Sequence, residues 1–485
     1  MRKRFLILVA LLLCTVILIA TGCAGKPDAP ATNQPAVSPG ENAKQEQGSS
    51  TEEEGTNYVV RIVATDEEWR ANNIIEAAKI LTQQLAEEGS KDTVSAEYLL
   101  TDAGSFADSM ALWQQEGNLP EIVARTGPDL WQFANAGYLI DVDYVVSGDV
   151  YQEKVPEHLR EMGRMDGTMY GVILDAEMRM VIIYKPALIA LGYTETDITK
   201  LQDDVRSGAF TLDDLQALAK QAVDSGITEY GITHRPNKGA DWRGLYVTFA
   251  DGEIPYRDGK VVINRKAIVD MLNFFRENVQ MGLNAYNSLT DFNWDMLEGD
   301  IWPNGKSFCW IGMIAAKADM MNAGGVTAEY VDENYVGIPI PVNTKGTTPV
   351  GMSNPYFYGL TPSAESSEKM KEYCKRVLEI VLDPELQLNT SLKVAHVGIT
   401  QETVDHPEYQ ADKWMHSNAY VMDYAFVLPA SDFVMKAYNG TELHEALQAA
   451  ELGAKDTSVA GIEQLTDEFI QKIVFQIGEG NYILE

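Results

Sequence analysis

The chain has 485 residues, of which 45% are hydrophobic and 22% are charged. At about 100–200 residues per domain, this length predicts two to four domains or two large lobes, which excludes a small disulfide-stapled scaffold and a disordered chain. The 71 Asp and Glu residues outnumber the 38 Lys and Arg residues, and the formal net charge is -33. That charge excludes nucleic acid and anionic lipid as main partners, because the field of the protein would repel both.

The N-terminus has the pattern of an export signal. Basic residues at positions 2–4 precede an apolar run from Phe5 to Ala20 that only Thr15 interrupts. A membrane-spanning helix needs about 20 apolar residues, so this shorter run predicts a secretory signal peptide over residues 1–22.

A cysteine and a polar segment follow the apolar run. Ala20-Thr21-Gly22-Cys23 resembles the bacterial lipobox, which implies lipidation of Cys23; the alternative is a plain signal peptide. Residues 24–57 contain no Leu, Ile, Met, Phe, Tyr or Trp and cannot bury enough apolar surface to fold. Residues 23–57 are therefore predicted to be a disordered tether, anchored through lipid to the extracellular face of the cytoplasmic membrane.

Strand and helix patterns alternate from Tyr58 onward. Tyr58–Ala64 and Val94–Leu100 have strand length and β-branched composition. Between them, apolar residues recur at helical spacing over 74–85. A second helix, a short strand at 120–124 and a third helix continue the series. This alternation predicts βαβ units on a mostly parallel sheet.

The same alternation returns in the middle of the chain. Thr211 and Asp214 have the spacing of a capping box at the start of a helix. Residues 266–281 form an amphipathic pattern in which Ile268 and Phe275 face inward. The sequence shows no internal repeat and no Pro/Gly/Ser linker in the body. This predicts one compact unit, which can consist of two lobes between which the chain crosses.

Signatures of catalysis, metals and nucleotides are missing. No G-x-S-x-G occurs, and His444-Glu445 lacks the second histidine of a zinc motif. Residues 299–307 resemble a P-loop but have one residue too many between the glycines. We therefore predict no catalytic residue, no metal and no cofactor. Cys309 and Cys374 fit either a disulfide or two buried thiols.

Several segments, in order along the chain, resemble extracellular solute-binding proteins of ABC importers, in the carbohydrate-binding family that includes maltose-binding protein. The most recognisable segment runs from Asp166 to Tyr193, where the family chain crosses between lobes. The resemblance covers residues 58 to about 475 and rests on Trp113–Ile122, Asn135–Asp141, Asp166–Val172, Tyr184–Tyr193, Thr211–Leu215, Asn304–Lys306 and Val336–Pro339.

The resemblance implies an α/β fold of the two-lobed periplasmic-binding-protein type (type II). Each lobe is expected to be a mostly parallel sheet flanked by helices, with a ligand cleft between the lobes. Lobe 1 is expected to comprise residues 58–174 and 331–382, and lobe 2 residues 175–330 and 383–485.

The family places its ligand contacts on loops after strand ends. Sugars need aromatic faces for their C–H side and carboxylate, amide or guanidinium groups for their hydroxyls. A structural role is the alternative for each matching residue, and Ala315 stands where a stacking Trp is common. The implied ligand-binding residues are Asp66, Glu67, Arg125, Asp175, Glu177, Arg179, Trp242, Gly312, Met313 and Tyr356.

The implied function is that of a lipid-anchored substrate-binding component of an ABC transporter. It would capture a carbohydrate, expected to be an oligosaccharide, by lobe closure and deliver it to the permease as a monomer without enzymatic activity. One alternative is a sensory or peptide-binding lipoprotein of the same fold. Another is a secreted glycan-degrading enzyme, which would need a pair of catalytic carboxylates.

Overall fold

The computed structural model describes residues 55–65, 68–101, 105–165, 167–237, 240–285, 287–426, 431–438 and 441–485. The predicted signal peptide, Cys23 and all but the last residues of the tether lie outside these ranges. Asp66 and Glu67, two of the implied ligand-binding residues, also lie outside them.

The strands confirm the β-branched segments expected near the N-terminus. They are β1 (Asn57–Ala64), β2 (Thr93–Leu100), β3 (Ile122–Thr126), β4 (Arg164–Met165), β5 (Thr168–Met169), β6 (Val172–Asp175), β7 (Arg179–Tyr184), β8 (Tyr230–His234), β9 (Tyr256–Arg257), β10 (Lys260–Ile263), β11 (Ser307–Met313), β12 (Tyr335–Ile338), β13 (Gly351–Met352), β14 (Tyr356–Leu360), β15 (Ala425–Phe426) and β16 (Tyr482–Leu484).

Helices separate most of these strands. The longer ones are α1 (Glu68–Glu87), α2 (Phe106–Gln115), α3 (Gly127–Asn135), α4 (Glu195–Arg206), α5 (Leu212–Asp224), α6 (Ala240–Phe249), α7 (Arg265–Gln280), α8 (Ala316–Gly324), α9 (Ala328–Asn334), α10 (Glu368–Ile380), α11 (Pro384–Val394), α12 (Asp432–Tyr438), α13 (Thr441–Leu452) and α14 (Ile462–Ile477). Shorter helical segments are Asp143–Val146, Asp149–Lys154, Glu157–Arg160, Glu161–Gly163, Lys185–Ala190, Ser288–Asp291, Trp294–Met296, Leu297–Ile301, Pro362–Glu365, Gln401–Val404, Pro407–Ala411, Lys413–Asn418 and Ala419–Tyr424.

Two helices form as their sequence patterns predict. At the start of α5, the Asp214 N–H donates to Thr211 Oγ1 at 3.2 Å and the Thr211 N–H donates to Asp214 Oδ2 at 2.9 Å. This reciprocal pair is the predicted capping box. In α7, Ile268 and Phe275 are each 1% exposed, so the apolar stripe faces the core as expected.

Sheet 1 has the strand order β2-β1-β3-β14-β6, and sheet 2 has the order β12-β7-β11-β8. In sheet 1, β2, β1 and β3 are parallel, whereas β14 is antiparallel to both of its neighbours. In sheet 2, β11 and β8 are parallel neighbours, and β7 is antiparallel to both β11 and β12. Four of the five strands of sheet 1 and three of the four strands of sheet 2 therefore run in one direction, with β14 and β7 reversed. The α/β class with mostly parallel sheets is confirmed.

The crossings between the sheets explain the antiparallel pairs. The chain leaves sheet 1 through β6, passes residues 176–178 and enters sheet 2 through β7. It leaves sheet 2 through β12 and returns to sheet 1 through β14. Outgoing and returning strands run in opposite directions, so β6 pairs antiparallel with β14 and β7 pairs antiparallel with β12.

Sheet 2 lies between two hydrophobic clusters. Met180 and Ile182 of β7 belong to cluster 1, whereas Val181 and Ile183 belong to cluster 2. Successive side chains of a strand point to opposite faces, so one strand contributes to both cores. Cluster 1 also contains Trp414, which the predicted boundaries place in lobe 2. The lobe boundaries stay a prediction. The two hydrophobic clusters divide the chain at positions that differ from the predicted boundaries.

Cys309 and Cys374 are two buried free thiols. Cys309 belongs to cluster 2 and Cys374 to cluster 1, so they lie in different cores and the disulfide alternative is not formed. Burial raises the pKa of both thiols.

None of the helices in the described ranges combines the length and apolar character that crossing a lipid bilayer requires.

We predict that Trp302 supports cluster 1 strongly. Its ring stacks on Trp310 with centroids 4.7 Å apart, and its Nε1 donates to Thr233 Oγ1 at 3.0 Å. We expect Trp302→Ala to lower the free energy of unfolding by about 3–5 kcal/mol, measured by chemical denaturation followed by circular dichroism. Trp113→Ala, at a half-buried position on α2, serves as the control, and an equal loss in both variants would contradict the assignment.

Candidate ligand-binding site

The segment between β6 and β7 forms the junction of the two sheets. Ala176 pairs with Val397 in an antiparallel bridge, and Met178 pairs with Ser353. The Asn354 N–H donates to the Glu177 carbonyl oxygen at 3.0 Å. Three separate parts of the chain therefore meet at this crossing and fix the side chains that it carries.

A cavity of about 750 Å³ opens at the junction, within the range of about 300–1,000 Å³ that is usual for ligand sites. Its walls come from the first turn of α1, the end of β2, the start of β7, the end of β11, helix α8 and the end of α11. The apolar and aromatic lining comprises Trp69, Leu100, Met313, Ala315, Ala318, Tyr356 and Val394. The polar lining comprises Arg70, Glu177, Arg179, Arg235, Asp319, Asn322, Asn354, Lys393 and His396.

Arg179 is the central charge of one wall, with only 5% of its side chain exposed. Its Nη1 lies 2.5 Å from Glu177 Oε1, and its Nε lies 2.6 Å from Asp241 Oδ1. Burial opposes the charged form, but the carboxylates of Glu177 and Asp241 outweigh it and raise the pKa of Arg179. The guanidinium is therefore held charged and in a fixed orientation.

Two further arginines stand beside this group. Arg235 Nη1 lies 3.4 Å from Asp241 Oδ2, so Asp241 lies between two guanidinium groups. Arg243 Nη2 donates to Asn354 Oδ1 at 3.5 Å, and Asn354 lines the cavity. Burial, followed by the positive charges of Arg179 and Arg235, lowers the pKa of Arg243 to about 9.

Aromatic rings and a guanidinium form another part of the cavity wall. The Arg70 guanidinium lies 3.3 Å from the centroid of the Tyr356 ring and 4.2 Å from that of Trp69. Trp69 meets His396 edge-on, with ring centroids 6.0 Å apart. The arrangement holds flat apolar faces at the cavity in one orientation.

Asp175 stands behind this wall and is 2% exposed. Its Oδ1 lies 3.1 Å from His396 Nδ1. Burial opposes ionisation, yet the charges of His396 and Arg70 outweigh it and lower the pKa of Asp175. Asp175 thus acts as a charged support for residues that line the cavity.

Asp319 of α8 is the carboxyl of the remaining wall. Burial, and then the charge of Glu177, raise its pKa to about 6. Its Oδ2 is buried without a hydrogen-bond partner. Asp319 therefore presents a polar atom that can form a hydrogen bond with a ligand. The pKa of Glu298 is also raised, to about 8, by burial and then by the charges of Asp319 and Asp295.

The structure brings four of the implied ligand-binding residues together at the cavity: Glu177, Arg179, Met313 and Tyr356. Ala315, at the position where a stacking Trp is common, also lines it. Asp175 lies behind the wall, and Gly312 lies within β11, paired with Met180 of β7.

Two implied contacts lie elsewhere. Arg125 donates from Nη1 to Thr65 Oγ1 at 3.2 Å and forms an ion pair with Asp129. Its guanidinium therefore binds protein groups, and Arg125 is not among the residues that line the cavity. Trp242 is 1% exposed and packs edge-on against Phe275 in cluster 2. This burial favours a structural role for Trp242, which is the alternative to stacking on a ligand.

Sequence reasoning missed several lining residues. Trp69 and Arg70 come two and three residues after Glu67, and an aromatic residue soon after the first strand is a signal that sequence alone offers. Asp319, Lys393 and His396 lie on or after helices far along the chain. Only the tertiary fold brings them to the junction, so no local pattern marks them.

Comparison with known proteins gives a family and a fold. Residues 86–416 match the family model described as bacterial extracellular solute-binding protein. A comparison of the sequence with curated proteins found no match.

Three solved structures illustrate the fold. Maltose-bound MalE3 of T. maritima has a TM-score of 0.63 at 15% identity, covering 86% of this chain and 99% of its own. The sugar-binding protein MalE of Xanthomonas citri has a TM-score of 0.64 at 15% identity, with 87% and 100% covered. A sugar transporter protein of Arthrobacter chlorophenolicus A6 with bound laminaribiose has a TM-score of 0.64 at 14% identity, with 87% and 100% covered.

These matches confirm the expected two-lobed α/β fold, and the family match covers more than half of the chain. The family is described as extracellular and solute-binding, and the similar structures include sugar-binding proteins. The chain belongs to the bacterial extracellular solute-binding proteins.

Proposed function

We propose that the protein binds a carbohydrate in the cavity at the sheet junction and delivers it to the permease of an ABC transporter. The observation that carries this proposal is the combination of fixed aromatic faces with carboxylate, amide and guanidinium groups around one cavity. Sugars present a C–H face and a ring of hydroxyls, and they need both kinds of partner.

The aromatic part of the site supports a ring-shaped ligand. Trp69 and Tyr356 are held by Arg70, whose guanidinium contacts both rings. Rings fixed before binding lose little rotamer entropy when a sugar stacks on them. Two of the structurally similar proteins hold maltose and laminaribiose, which agrees with a carbohydrate ligand here.

The polar part of the site supports recognition of hydroxyls. Asn322 and Asn354 offer amide groups, and Glu177 and Asp319 offer carboxylate oxygens. Each class of group bonds hydroxyls in a defined direction, which selects between sugar isomers. The chain belongs to a family of solute-binding proteins, so we propose binding and release without chemical change to the ligand.

Anchoring follows from the N-terminal segment. We propose that lipid on Cys23 holds the protein at the outer face of the cytoplasmic membrane, with residues 23–57 as a flexible tether. At about 5–6 Å times the square root of the residue number, such a tether spans about 30 Å. The binding unit then works as a monomer close to its permease.

A ligand screen by thermal unfolding tests the proposed function. Free ligand at about 100 times its Kd adds about 2.7 kcal/mol to the free energy of unfolding, which raises the melting temperature by a few degrees. We expect a shift with one class of oligosaccharide and none with short peptides. A shift confined to peptides would favour the sensory alternative, and release of cleaved sugar products would favour an enzyme.

Removal of the Trp69 ring tests the aromatic wall. We expect Trp69→Ala to weaken binding of the sugar found in the screen by about tenfold or more, measured by isothermal titration calorimetry, because a stacked face is lost. Trp113→Ala, which removes an indole outside the cavity lining, should bind with unchanged affinity. If both variants bound the sugar with equal affinity, the assignment of Trp69 to the binding site would be wrong.

The pKa of Asp319 predicts a pH-dependent stability effect. Folded Asp319 keeps its proton up to about pH 6, whereas an unfolded aspartate loses it near pH 4. The free energy of unfolding therefore falls as the pH rises from about 4 to about 6, where only the folded state holds the proton, and stays at the lower value above that. We expect Asp319→Asn to raise the melting temperature at about pH 7.5 and to leave it nearly unchanged at about pH 4. Asp203→Asn, at an exposed position on α4, should show no such pH dependence.

A further inference from the structure

A second cavity adjoins the candidate ligand-binding site. Its volume is about 490 Å³, and Trp69 and Lys393 line both this cavity and the first one. It lies between residues 69–76 of α1 and residues 386–393 of α11, and we call it the α1–α11 groove. The two spaces therefore meet at Trp69, whose ring is part of both linings.

The α1–α11 groove extends from the first cavity along both helices. On α1 its lining runs from Trp69 to Glu76, which is about 10 Å at a rise of about 1.5 Å per residue. On α11 it runs from Lys393 back to Leu386. The two cavities together exceed about 1,000 Å³, the upper end of the range that is usual for one drug-sized ligand. The combined space therefore suits a chain-like ligand better than a single sugar ring.

Buried hydrogen bonds fix the base of the groove. Asn73 of α1 and Thr390 of α11 are 6% and 3% exposed, and Asn73 Nδ2 donates to Thr390 Oγ1 at 2.7 Å. Thr390 Oγ1 in turn donates to the Leu386 carbonyl oxygen at 3.1 Å. These bonds tie the two helices together at the groove. A site that is formed in advance loses little conformational entropy when a ligand binds.

The groove offers uncharged polar groups to a ligand. Among the described residues that line it, Asn72 of α1 and Asn389 of α11 have exposed side chains. An amide has donors and an acceptor, so it can bond a hydroxyl in either direction. The charged residues of this lining have opposite signs: Lys393, and Glu76, which pairs with Lys79 Nζ at 2.6 Å. The groove therefore favours a hydroxyl-rich, uncharged ligand.

We propose that the α1–α11 groove is a second carbohydrate site, continuous with the first, in which Asn72 and Asn389 bind the outer units of an oligosaccharide. This inference rests on the proposed function and deepens it, since it says where the sugar chain leaves the first cavity. The Trp69 ring lies where inner and outer units meet. Affinity then depends on chain length, because only a longer ligand reaches both asparagines.

Calorimetry with neutral oligosaccharides of graded length tests the second site in the full-length chain. Each series runs from the monosaccharide to the hexasaccharide with one linkage, and the series are malto-, laminari-, cello-, xylo- and manno-oligosaccharides. In the series that binds, we expect the affinity to rise by at least about tenfold from the disaccharide to the hexasaccharide, because the outer units add hydrogen bonds.

Other results of the length series separate the two proposals. Equal affinity for the disaccharide and the hexasaccharide, or binding of the monosaccharide alone, would overturn the second site and leave the carbohydrate function in place. If no saccharide of any length binds, the proposed function itself is wrong, and the second site is wrong with it.

A double variant locates the outer units. We expect Asn72→Ala combined with Asn389→Ala to weaken binding of the hexasaccharide by about fivefold or more and to leave disaccharide binding unchanged. Both positions are exposed on helices, where alanine is favourable, so the variant should keep its fold. Gln83→Ala, which removes an exposed amide of α1 outside both linings, should change neither affinity.

Two results would contradict the assignment to the groove. Equal losses for the disaccharide and the hexasaccharide would show that the asparagines act on the first cavity or through packing. Unchanged affinity for both ligands would place the outer units elsewhere on the protein. Each single substitution, Asn72→Ala or Asn389→Ala, should weaken hexasaccharide binding by a smaller factor, which repeats the test with less change to the helices.

Discussion

Arg179 brings a full positive charge into the junction of the two sheets, where its side chain is 5% exposed. Such a charge is tolerated only with close counterions, and Glu177 and Asp241 supply them at 2.5 and 2.6 Å. Glu177 belongs to the crossing, whereas Asp241 belongs to α6 in the second core. The ion pairs thus fix the crossing segment against a helix of the second core, and the same guanidinium forms a wall of the cavity. The packing of the junction and the proposed recognition of the ligand therefore involve the same buried charge group.

A second buried network supports that wall from behind. His234 Nε2 lies 3.0 Å from Glu451 Oε1, and Ser288 Oγ donates to the same oxygen at 2.6 Å. His234 and Glu451 are each 1% exposed, so these bonds form away from water. The network connects α13 to the end of β8. Arg235 directly follows β8, and His234 Nδ1 lies 2.9 Å from its carbonyl oxygen. Through this network, α13 helps to fix the position of Arg235, one of the cations that line the cavity.

The sequence predicted those features that local periodicity encodes. The strand over Tyr58–Ala64 and the capping box at Thr211 depend on neighbouring residues, and both formed as expected. The reversed strand in each sheet, β14 in sheet 1 and β7 in sheet 2, was not predicted, because strand direction depends on where the chain crosses between the sheets. Trp242 illustrates a similar limit: the resemblance implies a ligand contact, but the side chain is 1% exposed and packs against Phe275 of another helix. His396 reaches the cavity through a loop whose place only tertiary packing decides.

Two of the four cysteines, Cys309 and Cys374, have a practical consequence for measuring the proposed closure of the cleft. A thiol reacts with maleimide as the thiolate, and burial keeps Cys309 and Cys374 protonated within separate cores. Fluorophores attached to new surface cysteines on either side of the junction would therefore report distance without background from these positions. Energy transfer between such dyes would follow cleft width in single molecules and would separate closure that precedes sugar binding from closure that follows it.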